Sequence, residues 1–117
     1  MITYAQFQNG PARGILTALD SIFLEALDAA KSYAVFREMI VMLNDMEANR
    51  GCFAKAARRY AKVGSPGERE LLKGILLLTD FAHIADEISA GDAYVNITRC
   101  GGNFRQAYAA CVMNAGW

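Results

Sequence analysis

The chain has 117 residues, 54% of them hydrophobic and 21% charged, with 12 basic and 12 acidic side chains and a formal net charge of zero. That composition excludes intrinsic disorder, and a folded surface of roughly 6,000 Å² encloses a real core without metal or disulfide support. The neutral total removes the broad attraction to nucleic acid or anionic membrane of a strongly basic chain, though not a local patch.

The first helix is expected to begin near Pro11 or Ala12, because proline tolerates a first-turn position where its missing amide would have lacked a partner anyway. Ile15, Leu16, Leu19, Ile22, Phe23, Ala26 and Leu27 then recur at three- and four-residue steps, which places them on one buried face. Asp20, Glu25 and Asp28 fall outside that stripe. Ser32 suits the N-cap of a second helix whose core face is Phe36, Met39, Ile40, Leu43 and Met46. Val35, Val41 and Met42 widen the apolar coat beyond one stripe, which suggests a central position or a contact surface. Gly51 is expected to break this helix in the left-handed conformation.

A short, two-faced helix follows over residues 52–63, with Phe53, Ala56, Ala57 and Tyr60 inward and Lys55, Arg58, Arg59 and Lys62 outward, stopped by Gly64. Ser65-Pro66-Gly67-Glu68 is the clearest local signal in the chain: Ser at the cap, Pro at the first position, and Glu three residues on to reach back. The helix it opens is expected to run to about Ser89 with two apolar faces, Leu71, Ile75, Leu78, Ala82 and Ala85 on one and Leu77, Phe81, Ile84 and Ile88 on the other. A helix apolar on two sides belongs at the centre. Residues 93–99 are rich in β-branched and aromatic types, and a short pair with residues 2–7 is conceivable, although Thr3 with Gln6 equally suits the cap of a short starting helix. Gly101-Gly102 reads as a turn, and Asn103 with Gln106 as a capping box opening a last helix from Phe104 to Asn114. The expected fold is therefore all-α: one domain over residues 1–117, a compact bundle of four or five helices with room for a minimal terminal β-hairpin.

Few residues carry a chemical signal. Cys52, Cys100 and Cys111 are odd in number and lack metal-ligand spacing, so neither a disulfide framework nor a zinc site is indicated. The first residues lack the basic and apolar runs of a signal peptide, and no apolar run approaches the ~18 residues that span a bilayer. A cytoplasmic protein without membrane association is expected. Asp80, His83 and Glu87 would share one helix face, but two carboxylates and one imidazole lack the second helix's ligands that a bundle metal site needs, so a solvated or salt-bridged face is the ordinary reading. Cys52 follows Gly51 at a helix start, where a thiol pKa can be lowered. No nucleophile–base–acid arrangement or phosphate loop is recognisable. No cofactor or metal is indicated, and the chain reads as a non-enzyme.

The strongest surface feature is charge polarity. Arg50, Lys55, Arg58, Arg59 and Lys62 put five positive charges and no negative one into residues 50–62, while Asp80, Asp86, Glu87 and Asp92 put four negative charges into residues 80–92. The basic stripe suits a protein partner, and the chain reads as a small binding module of adaptor or inhibitor type. A competing use is the phosphate backbone of nucleic acid, against which stand the zero net charge and the lack of interleaved aromatic residues. A further one is self-association, as a homodimer in which the acidic segment is the counter-surface. The bland alternative is a solvated face.

Overall fold

The computed structural model describes residues 2–46, 51–88 and 102–115. Within them lie eight helices and no strand: α1 (Tyr4–Gln8), α2 (Ala12–Leu19), α3 (Ser21–Ala29), α4 (Tyr33–Asp45), α5 (Cys52–Ala61), α6 (Pro66–Leu78), α7 (Ala82–Ile88) and α8 (Gly102–Met113). The all-α class is as expected. The count exceeds four or five because a short helix forms at the start and two expected long helices are each broken once.

At the start, Thr3 and Gln6 form a reciprocal capping box, with the Gln6 amide donating to Thr3 Oγ1 at 3.2 Å and the Thr3 amide to Gln6 Oε1 at 2.9 Å. Residues 4–8 are thereby helical, and the terminal hairpin loses its first strand. Its other half, residues 93–99, lies outside the described residues. The first long helix breaks at Asp20, whose extended backbone ends α2 and whose carboxylate accepts the Ile22 amide at 3.1 Å as the N-cap of α3. The second breaks at Asp80, which takes a left-handed conformation at φ 70° so that the Phe81 amide can bond back to the Leu76 carbonyl at 2.7 Å, closing the C-terminus of α6.

The remaining starts follow the sequence. Ser32 caps α4, Gly51 is left-handed at φ 74° ahead of α5, and Ser65, Pro66 and Glu68 open α6 with a complete capping box. Gly51 has no side chain to cap with, so Asn44 Oδ1 of α4 accepts from the Phe53 amide at 3.1 Å instead. α8 begins at Gly102, which places Asn103 inside its first turn rather than at the cap.

α6 is the centre of the molecule, buried continuously from Glu70 to Leu76. The charges in that run, Glu70 and Lys73, meet within one turn at 2.5 Å, so each neutralises the other out of water. A Cβ on Gly67 would face the Phe104 ring at 3.6 Å, and one on Gly74 would stand 2.9 Å from the Tyr108 ring and 3.3 Å from Cys111. The contacts advance in the same direction along both chains, so α6 and α8 run parallel, with glycine permitting the close approach. Around this pair, Phe53 of α5 meets Phe23 of α3 edge-on at 4.9 Å and Phe81 at 5.2 Å, while Tyr4, Phe7, Tyr33 and Phe36 form a second aromatic cluster.

Candidate functional site

α5 owes its orientation to its anchors. Asn44 fixes its N-terminus, Phe53, Ala56 and Ala57 are buried, and Tyr60 reaches over to donate to Glu68 at the start of α6, at 2.5 Å. With that face committed, helical geometry turns Lys55, Arg59 and Lys62 outward along one line, at steps of four and three, with Arg58 on the flank beside Lys62. All four side chains are exposed. Arg58 and Arg59 occupy the last turn, where cations also complement the helix dipole.

Two clefts border this ridge. One, against α7, is lined by Arg58, Ala61, Lys62, Glu87 and Ile88, and there Arg58 Nε donates to Glu87 Oε2 at 2.6 Å. Both partners of this ion pair are about half exposed, 46% and 54%, so it contributes little to stability. The other cleft, against the α2–α3 turn, is lined by Asp20, Cys52, Lys55 and Arg59 with Leu19, Phe23 and Ala56. Among the described residues, four cations thus face two flanking carboxylates, Glu87 and Asp20, which leaves the ridge locally positive. The side chains of Lys55, Arg59 and Lys62 make no ion pair or hydrogen bond among the described residues.

The structure brings together only part of each predicted segment. Lys55, Arg58, Arg59 and Lys62 form the surface; Arg50 and Asp92 lie outside the described residues, as does Cys100. Glu87 is beside the basic ridge, and Asp86 is exposed next to it in sequence. Asp80 belongs to the turn before α7 rather than to a helix, so it does not share a helical face with His83 and Glu87. Asp20 is the residue that sequence reasoning missed. Periodicity places it outside the apolar stripe of one long helix, whereas its position before Ser21 and a renewed apolar stripe is the signal of an N-cap.

The thiols do not behave as the helix-start position of Cys52 suggests. Burial, with Asp20 adding to it, pushes the Cys52 thiol above its ordinary value, and its Sγ lies 4.0 Å from the Leu43 carbonyl. Cys111 is fully buried against α6 and is shifted strongly in the same direction. Both are therefore protonated near neutral pH. Among the described residues, no three His, Cys, Asp or Glu side chains are grouped to hold a metal, and no helix is long and apolar enough to cross a membrane. What the ridge offers chemically is a row of fixed cations with clefts on either side. Comparison with known proteins gives no matching family model, curated protein or solved structure.

Proposed function

We propose that this chain is a small cytoplasmic protein-binding module, of adaptor or inhibitor type and not an enzyme, that engages an acidic surface of a partner protein through the outward face of α5. The observation that carries this reading is the line of three exposed cations, Lys55, Arg59 and Lys62, whose side chains are unpaired among the described residues, on a helix whose opposite face is locked into the core. Fixed cations flanked by clefts supply register and encounter rate, and the clefts supply places for partner side chains. Cys52 and Cys111, both free thiols, fit a reducing compartment.

Arg59→Glu combined with Lys62→Glu tests the reading more cleanly than a change at Arg58, which would also set two carboxylates against each other at Glu87. The double variant is expected to keep its helical circular-dichroism signal and to lose the proteins that the unaltered chain captures and cross-links through α5. Capture unchanged by the double reversal would remove α5 as the site. Titration of duplex and single-stranded probes across salt distinguishes the nucleic-acid reading, in which three phosphate contacts would give a log–log slope of about −3 for duplex DNA. Saturable binding with that slope would replace the protein partner by nucleic acid.

A further inference from the structure

A second surface, of opposite sign, lies between α3 and α4. The sequence pattern assigns Met39 and Met46 to the core face of α4, whose fully buried side chains are Phe36 and Ile40; Met39 packs against that core only in part, and Met46 is exposed. Val35, Met39, Met42 and Met46 form a stripe beside that core at steps of four, three and four, with Val35 41%, Met42 57% and Met46 45% exposed. Ile22, Ala26 and Ala29 of α3 with Met39, Met42 and Leu43 of α4 line an open apolar groove. Methionine at such a surface is flexible and polarizable, suited to the side chains of an incoming partner.

The rim is acidic on both sides. Glu25 lines the groove from α3. Glu38 and Asp45 stand one turn to either side of Met42 on α4, exposed, and none of the three carboxylates makes an ion pair among the described residues. Lys31 stands in the turn at one end.

We propose that the α3–α4 groove is a docking site for a cationic amphipathic helix of a partner protein. Both walls are helices whose backbone groups are already bonded internally, so the groove offers no ladder to an extended strand; the occupant satisfies its own backbone, as a helix does. An anionic lipid surface would meet Glu25, Glu38 and Asp45 and be repelled. A second copy does not supply the occupant from its basic helix, because the apolar face of α5, Phe53, Ala56 and Ala57, is buried in its own core. From Val35 to Met46 the stripe rises ~16 Å, which suits about three turns of a docked helix with apolar anchors at i, i+4 and i+7 and Lys or Arg at its flanks. This site is independent of the α5 surface and selects the opposite charge.

The test uses a labelled peptide of about 14 residues, built from leucine at helical spacing and lysine elsewhere, the same length as four turns. A second peptide replaces every lysine with glutamate, and a third scrambles the leucine spacing. Fluorescence polarisation with the full chain is expected to show saturable binding of the first peptide only. Met42→Lys, an exposed position, is expected to weaken it by about tenfold, as loss of a central anchor does, and Glu25→Lys with Glu38→Lys to weaken it further, while Arg59→Glu with Lys62→Glu leaves it undiminished. No saturable binding, equal binding of the scrambled peptide, or indifference to Met42→Lys would each overturn the docking site, and none of those results bears on α5.

Discussion

Glu68 holds the α5–α6 corner through two separate contacts. Its Oε1 accepts the Ser65 amide at 3.0 Å, completing the capping box, and its Oε2 accepts the Tyr60 hydroxyl. The hydrogen bond from Tyr60, followed by those from Ser65, holds the Glu68 carboxyl below the usual glutamate range. A carboxyl whose folded pKa is depressed adds stability that is complete above the unfolded pKa and is lost as pH falls through the folded one. Tyr60→Phe is therefore expected to cost about 0.5–1 kcal/mol near neutral pH, at the modest end for a charge-assisted bond because the corner is partly solvated. The gap between the two proteins should close on acidification. Urea unfolding at neutral and at acid pH measures it, and a gap independent of pH would show that Tyr60 acts by packing alone. Ser65 and Glu68 were legible in the sequence because a capping box is a local pattern. Periodicity shows Tyr60 only as an inward-packing residue, since its partner lies beyond a turn and no periodicity joins them.

At the scale of helices, the apolar stripes are legible in the sequence, with Met46 of α4 an exception, and the breaks are not. Asp20 and Asp80 interrupt helices whose stripes resume in nearly the same phase, so a periodicity count carries straight across them. Neither break carries the glycine or proline that usually marks one, and a left-handed aspartate costs about 1–2 kcal/mol, which only the surrounding packing makes tolerable. The pairing of α6 with α8 was also hidden, because Gly67 and Gly74 acquire meaning only opposite Phe104, Tyr108 and Cys111. Parallel helices bring two negative dipole ends together, an arrangement that needs a cation. Arg37 of α4 is placed there: its Nε donates to the Leu78 carbonyl at 2.9 Å and its Nη2 to the Asn114 carbonyl at 2.6 Å, at the ends of α6 and α8. Arg37→Ala is expected to lower stability by about 2–3 kcal/mol, the range for hydrogen bonds from a charged donor. Arg37→Lys should recover only part, because one ammonium lacks the planar fork that reaches both carbonyls. Urea midpoints at unchanged slope report the loss; an alanine variant within about 0.5 kcal/mol of the parent would make Arg37 an ordinary surface residue.

For the molecule as a whole, the sequence showed opposite charges on two segments but not whether they meet within the chain. They meet in part. Arg58 closes on Glu87, while Lys55, Arg59 and Lys62 on one segment and Asp86 on the other stay exposed. Because α5 and α7 lie side by side, a two-fold axis near their border would set each basic ridge against its partner's acidic helix and satisfy the same contact twice. The apolar centre that such an interface needs is not supplied by Met42, which lines the α3–α4 groove instead, and among the described residues the α5–α7 border offers little beyond the exposed Val63 and the partly buried Ile88. A homodimer built on α5 and α7 would therefore rest on exposed ion pairs, each worth about 0–1 kcal/mol and screened over about 8 Å at physiological salt. Light scattering is expected to show mass above the monomer only at low salt and high protein concentration, returning to the monomer at about 0.15 M salt, where the screening length is that short. Asp86→Lys should abolish the low-salt species by setting like charges against the basic ridge. A dimer that persists in salt would place the contact on an apolar face, and a strictly monomeric mass at low salt would sink self-association through this edge.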